Sequence, residues 1–328
     1  MPSDTRTPLL SIVIPAFNVE RFVSDAVSSA LAQTVADVEV IVVDDGSTDG
    51  TVRVLSGFGD PRLRVIRQPN RGVSAARNAG IAAARAPYVG FIDGDDAWEP
   101  NKAERHLALM ESDPSIGISF SHSLWMDAGG RLDGRVLFTP LERPVLRDML
   151  VRNVLGNGSS PVVRADCLAA AGPFDEDLPT CEDWEMWVRV LRDTGMTARL
   201  VPEALTRYRV NPDSLTMNFA GFLAGAERAA ARIERDTPGE PRALVRRGLA
   251  ICYRVAASKA FRKGDRRAGA RYLAMALARS PGLPLHDPRF AAAVFLALAP
   301  RRAADAANKI AARAFGRGAA KHRHGAAQ

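Results

Sequence analysis

The chain has 328 residues, 47% of them hydrophobic and 25% charged, with a formal net charge of +7. That length can bury one large core or two modest ones, and the composition excludes a fibrous or disordered chain. The three cysteines, Cys167, Cys181 and Cys252, show no C-x-x-C spacing, which argues against a disulfide framework or a zinc site and fits a reducing compartment. No apolar signal core precedes the first predicted strand, and no run reaches the ~20 apolar residues of a spanning helix. A cytoplasmic protein is expected. The charge is uneven: from residue 221 onward there are 22 Lys+Arg against 7 Asp+Glu, a balance of +15, so the remainder carries −8.

In chain order, Ser11 to Asn18 opens with a β-branched apolar run and closes on Pro15 and Asn18, a strand followed by a turn. Arg21 to Thr34 has helical apolar spacing. Val38 to Val43 is a nearly continuous apolar strand of the kind buried on both faces in parallel sheets. Asp44 to Gly50 follows it as turn-and-cap chemistry opening a further helix. A strand at Leu63 to Ile66, a helix at Gly72 to Ala84 and a strand at Tyr88 to Ile92 complete the alternation of a doubly wound parallel sheet. Ligands of such sheets sit outside the carboxyl ends of the strands. Asn18, Asp45 and the run Asp93-Gly94-Asp95-Asp96 all fall at those ends.

Three carboxylates in four positions repel one another unless a cation sits among them. Hard oxygen ligands suit Mg²⁺ or Mn²⁺ shared with substrate phosphates. A solvated acidic turn capping the helix near Glu99-Pro100 is the simpler alternative. Asp45 reads either as a turn residue or as an acceptor for a base edge or ribose. Asn70 to Ser74 precedes a helix N-terminus that would favour an anion, with Arg71 and Arg77 adding charge for a pyrophosphate.

Further on, Ile116 to Phe120 reads as a strand, Trp125 to Arg135 as a hairpin, Asn157 to Ser160 as a loop and Pro161 to Arg164 as a strand. The loop Gly172 to Leu178 leads to a helix starting at Cys181-Glu182-Asp183-Trp184. Acids are welcome in a first helical turn without any chemistry, and Trp184 with Trp187 most simply makes a packed face. From Phe219 the pattern is helical, with a pair at Leu244 to Ala260 and Arg266 to Arg279 joined at Lys263-Gly264-Asp265. Pro281 to Pro288 interrupts it before the apolar run Phe290 to Ala299 and a basic segment, Arg301, Arg302, Lys309, Arg313, Arg317, Lys321 and Arg323. That region reads either as a peripheral anchor on an anionic membrane surface or as a soluble helical appendage. No nucleic-acid-binding module accompanies the charge, so none is expected as a partner.

Five stretches together resemble the family 2 glycosyltransferases of GT-A fold: Ser11 to Asn18, Val42 to Thr51, Asn70 to Gly80, Phe91 to Asp96 and Cys181 to Glu185. The resemblance covers roughly residues 9 to 215. It implies an α/β, Rossmann-like, mostly parallel twisted sheet flanked by helices over residues 1–218, with a helical extension over 219–328. Pro15, Ala16, Phe17, Asn18, Asp45, Arg71, Arg77 and Asp93 would hold the nucleotide. Asp95, joined by Asp96, would touch Mg²⁺ or Mn²⁺. Asp183 matches the general base, with Glu182 in support, and Asn157, Ser159, Ser160 and Trp184 would lie near the acceptor. Arg207-Tyr208-Arg209 and Ser214 to Thr216 loosely match a basic loop over the pyrophosphate. The implied reaction moves one sugar from a nucleotide-diphosphate sugar, a UDP-sugar first, to a glycan or lipid-linked acceptor with inversion. It would take place in the cytoplasm, at the inner face of the membrane. The Gln-x-x-Arg-Trp signature of processive members is missing, which favours single transfer. A sugar-1-phosphate nucleotidyltransferase would instead need a Gly-rich basic loop after the first strand, and Pro15 to Asn18 has neither glycine nor base. A non-catalytic scaffold on the same fold would have no use for Asp93, Asp95 and Asp183 together.

Overall fold

The computed structural model describes residues 7–210 and 219–298. They divide into two compact units, 7–149 with 153–210, and 150–152 with 219–298. Strands and helices are numbered β1 to β9 and α1 to α12 in chain order.

The first unit is built on a nine-stranded sheet. β1 (Leu10–Ala16) lies between β2 (Val38–Asp44) and β4 (Tyr88–Phe91), and β3 (Leu63–Arg67) pairs with β2, all parallel. β1, β2 and β4 are buried along their whole length. Helices α1 (Val23–Leu31) and α3 (Val73–Ala83) bury their small and branched residues against them. Because both faces are covered, these strands need apolar residues at every position, and period-2 alternation disappears. This half follows the expected alternation.

Beyond β4 the sheet becomes mixed. β8 (Val162–Arg164) runs antiparallel to β4 and to β6 (Ile116–Met126), and β9 (Thr197–Arg209) runs parallel to β6. The two-residue β5 (Ala97–Trp98) pairs with the last part of β9, and β7 (Leu132–Leu137) forms a hairpin with β6. β5, β9 and the short helices α5 (Leu146–Val151) and α6 (Ala165–Ala171) are additions to the predicted elements. β9 reads poorly as a strand because Arg199, Pro202, Glu203, Arg207 and Arg209 interrupt its apolar positions. Its register against β6 shifts around His122, the kind of irregularity where a strand tolerates proline. Between β5 and β6 runs α4 (Lys102–Ser112), and after α6 comes α7 (Glu182–Thr194). The short α2 (Thr51–Leu55) follows β2.

The second unit is helical: α8 (Phe219–Asp236), α9 (Arg242–Arg262), α10 (Arg266–Arg279), α11 (Leu283–His286) and α12 (Pro288–Leu298). Leu223, Ala250, Tyr253, Ala276, Leu283 and Phe290 form its core. The α9–α10 turn falls at the expected Lys263-Gly264-Asp265, where Asp265 caps α10 by accepting from Ala268 N–H at 3.0 Å. Arg254 meets Asp287 at 3.0 Å inside this unit. Among the described residues no helix is long and apolar enough to cross a membrane. The basic segment from Arg301 to Arg323 and the stretch Ser214 to Thr216 lie outside the described residues.

Candidate functional site

The carboxyl ends of β1, β2 and β4 converge, and polar side chains stitch the loops that leave them. Pro15 and Ala16 belong to buried β1, so the loop proper starts at Phe17, which is exposed. Asn18 adopts a left-handed backbone, φ 52°, which asparagine tolerates better than most residues. Its N–H donates to Ser47 Oγ at 3.0 Å and its Oδ1 accepts from Thr48 N–H at 2.8 Å. At the end of β2, the buried Asp45 carboxylate accepts from Gln68 Nε2 (2.7 Å), Arg71 N–H (3.0 Å) and Gly72 N–H (2.8 Å). Asp45 therefore fixes the turn that starts α3, and most of its acceptor capacity is taken. Gly46 sits under that turn with φ +75°, and a Cβ there would lie 2.8 Å from Asn70 N.

After β4 the chain makes the acidic turn. Gly94 packs against β1 so closely that a Cβ would sit 3.0 Å from Pro15 O and 3.1 Å from a Val19 methyl. Asp96 is fully buried; its Oδ2 accepts from Ser159 Oγ (2.6 Å) and its Oδ1 from Arg209 N–H (2.8 Å). Ser159 Oγ in turn accepts from Asp93 N–H at 2.9 Å. Arg209 Nε donates to the Asp95 carbonyl at 2.6 Å, and the same guanidinium reaches Asp25 at 2.7 Å. The turn is thus held from one side by the Asn157 to Ser160 loop and from the other by the last residue of β9.

α7 starts from Cys181, a non-glycine residue at φ 63° and ψ 17°. Asp183, in its first turn, is half-buried and accepts from Asn153 Nδ2 (2.8 Å) and from Trp184 N–H (2.6 Å). Glu182 beside it is buried and meets Arg77 Nη1 at 2.5 Å, while Arg77 Nη2 meets Asp93 Oδ1 at 2.8 Å. One guanidinium therefore joins the start of α7 to the end of β4.

The acids in this corner hold their protons unusually well. Burial, then the charge of Glu182, pushes Asp183 up to about 7 despite the opposing pull of Arg77. Burial and the charge of Asp93 raise Asp95 to about 6. Burial, then Asp95 and Asp93, raises Asp96 well above the carboxylate range. For Arg77, burial opposes the charged form, but Asp93 and Glu182 together hold the proton more tightly than usual. A crowd of desolvated carboxylates is chemistry that a hard divalent cation relieves. Among the described residues, no three His, Cys, Asp or Glu side chains gather as a complete metal cage. The arrangement fits instead a cation that takes an oxygen from Asp95 and fills its shell with phosphate and water.

Several of the expected site residues have partners inside the protein. Arg77 is 3% exposed and lies beneath the surface, with both terminal nitrogens on carboxylates. Each oxygen of Asp96 accepts one hydrogen bond inside the protein, so the residue anchors the turn. Trp184 is buried and its indole N–H donates to Met149 O at 2.5 Å. Ser160 is fully buried, its hydroxyl donating to Ser121 O. Asn157 Nδ2 donates to Ser123 Oγ at 2.9 Å and its Oδ1 accepts from Ser159 N–H at 3.1 Å, so it braces the loop. Arg207 pairs with Glu99 at 2.7 Å, and Arg209 is buried, so neither overlies the site as a basic loop. Arg71 stays exposed at the rim, paired with Glu176 at 2.6 Å.

Three contributors escaped the sequence reading. Asn153 orients Asp183 and stands in an unremarked loop. Asn78 on α3 donates to Phe174 O (2.9 Å) and accepts from Phe174 N–H (2.7 Å), pinning the loop that leads to α7. Lys102 is fully buried; its Nζ donates to Ser160 O (2.7 Å), Thr206 Oγ1 (3.1 Å) and Ser121 Oγ (3.2 Å). Burial pushes that amine well below its usual range. A lysine in a first helical turn ordinarily signals solvent, so nothing local marked it.

Residues 11–147 match the family model described as "Glycosyl transferase family 2". The Bacillus subtilis protein named "Putative teichuronic acid biosynthesis glycosyltransferase TuaG" is 32% identical over 215 residues, 64% of this chain and 82% of its own. The chain spans less than two thirds of the length of the first curated relatives it matches, 63% and 19% in the first two. Among solved structures, S. aureus TarS 1-349 in complex with UDP-GlcNAc superposes with a TM-score of 0.62 at 16% identity, covering 88% of each chain. The mannosyltransferase PcManGT from Pyrobaculum calidifontis, in complex with GDP-Man and Mn²⁺, gives 0.60 at 18% identity, covering 100% of this chain and 90% of that one. At such identities these two likenesses establish the fold, a GT-A-type glycosyltransferase architecture.

Proposed function

The chain belongs to glycosyl transferase family 2, and on that premise we propose that it is an inverting enzyme moving one sugar from a nucleotide-diphosphate sugar to an acceptor hydroxyl. Residues 1–218 would carry the reaction and 219–328 an accessory role. The observation that carries the reading is the pairing of Asp183 with Asn153 beside the Glu182–Arg77–Asp93 bridge. It sets a carboxylate of raised proton affinity next to an acidic, nucleotide-facing strand end.

Asp183 takes the proton of the acceptor hydroxyl, whose oxygen attacks the anomeric carbon as the bond to the diphosphate oxygen breaks. Attack on the face opposite the leaving group inverts the anomeric centre. Asn153 holds one carboxylate oxygen and the Trp184 N–H the other, and each oxygen keeps a further lone pair with which to meet the acceptor. Phe17, Asn18, Asp45 and Arg71 rim the nucleotide end, with Asp93 between it and Arg77. A divalent cation held by Asp95 would offset the charge of the departing diphosphate. UDP remains the first donor base to test; the two structural neighbours carry UDP-GlcNAc and GDP-Man. The TuaG name supports an acceptor in cell-surface polysaccharide synthesis, a glycan or a lipid-linked one. The basic C-terminal third supports peripheral contact with an anionic inner membrane face.

Asp183→Asn tests the core of this reading. Transfer should fall by ~10³-fold or more while nucleotide-sugar affinity, measured by calorimetry, stays within a few-fold. Unchanged turnover would remove Asp183 from the mechanism.

A further inference from the structure

Arg77 is a buried cation with no direct part in the proposed reaction. Its fork reaches Glu182 Oε1 at 2.5 Å and Asp93 Oδ1 at 2.8 Å. The Phe174 ring lies on one side, with the guanidinium carbon 5.5 Å from its centroid. Gly158 closes the other side: a Cβ there would come within 2.8 Å of Nη2 and 2.9 Å of Asp93 Oδ2. The charged groups that act on Asp183 are Glu182 from α7 itself, Arg77 from α3 and Asp93 from the end of β4. The neutral amide of Asn153 completes its surroundings.

We infer that Arg77 and Glu182 form a positioning bridge for Asp183, holding the first turn of α7 in register with the strand end that bears Asp93. The inference rests on the assignment of Asp183 as base. Glu182 and Asp183 are adjacent, so fixing one backbone position and one side chain fixes the start of the helix. A guanidinium can hold two carboxylates from separate nitrogens in a rigid fork, which a lysine ammonium does not reproduce. Two acids on neighbouring positions, one buried and one half-buried, also need a countercharge beside them. The Glu182 charge in turn strengthens Asp183 as a base. Misplacing a reacting group by about 1 Å costs on the order of 100-fold in rate, so the bridge should be felt in turnover.

The test compares Glu182→Gln, Arg77→Lys, the double variant and Asp183→Asn in the full chain with a nucleotide-sugar donor and Mn²⁺. Glu182→Gln should lower kcat roughly tenfold or more, leave donor Kd within about threefold, and move the acid limb of the kcat–pH profile to lower pH, since the charge that raises Asp183 is gone. Arg77→Lys should lose kcat by a similar factor, and the double variant should cost little more than the worse single one. Wild-type kcat with an unmoved acid limb in Glu182→Gln overturns the inference, whether or not the Arg77 variants fold. A loss in Arg77→Lys confined to donor Kd overturns it too, pointing to a phosphate ligand. An inactive Asp183→Asn beside an unaltered Glu182→Gln sinks the bridge alone; an active Asp183→Asn sinks the base assignment as well.

Discussion

Asp183, raised to about 7 by burial and by Glu182, makes pH a direct probe of the site. A base works when deprotonated, so kcat should climb about tenfold per pH step below neutrality and level off above it. The effect on folding has the opposite sign. The unfolded chain releases this proton near pH ~4, whereas the folded one keeps it to about 7. Between those values the native state binds the extra proton, so this group's contribution to stability declines as pH rises and stays low above 7. Asp183→Asn should therefore melt higher than wild type at pH 8 and close to it at pH 4, as differential scanning fluorimetry can check. Trp184 invites a different substitution. If its indole only donates to Met149 O, Trp184→Phe should cost about 1–2 kcal/mol of stability and leave acceptor KM within about twofold. A tenfold rise in acceptor KM would return Trp184 to the sugar. None of these partnerships was readable beforehand: Asp183 and Asn153 are 30 positions apart, Arg77 and Glu182 105, and no local pattern encodes a pairing at that distance.

The strands that were legible are those whose surroundings leave no choice. β1 and β2 are covered on both faces, so Ile12, Val13, Ile14 and Val40 to Val43 write their burial into composition. β9 was opaque for the reverse reason. Its arginines serve other elements: Arg207 pairs with Glu99 next to β5, and Arg209 holds Asp95 and Asp25. Each looks like a solvated charge until the partners are in place. The end of β9 accordingly carries a prediction. Arg209→Met removes a charge-assisted bond to the Asp95 backbone, worth about 1.5–3 kcal/mol. The Mn²⁺ concentration that half-saturates nucleotide binding should rise by roughly tenfold or more, read by calorimetry or by the electron-spin signal of free Mn²⁺. If that concentration is unchanged, Arg209 braces the sheet and does not set Asp95.

At the scale of the molecule, charge and fold are partitioned differently from chemistry. Every side chain in the candidate site belongs to the first unit, and the excess of basic residues begins only after residue 221. The motifs made the first unit recognisable, whereas the helical unit was read from period alone and its sequence names no ligand. The full chain should cosediment with vesicles rich in phosphatidylglycerol at low salt and not with phosphatidylcholine vesicles. The association should fade towards about 0.5 M NaCl, where the screening length falls to a few ångströms. Equal binding to both vesicle types, or none to either, would leave the basic region without a membrane role.

The Arg77 bridge also constrains heredity. Glu182 and Asp93 each lean on the same guanidinium, so losing Arg77 leaves the Glu182 carboxylate buried without its countercharge. If the bridge positions Asp183, a lineage that exchanges these three residues one at a time should lose turnover at each step. They should co-vary or stand still together, and anyone re-engineering this catalyst for a new sugar has more freedom at the loop rims than at that knot.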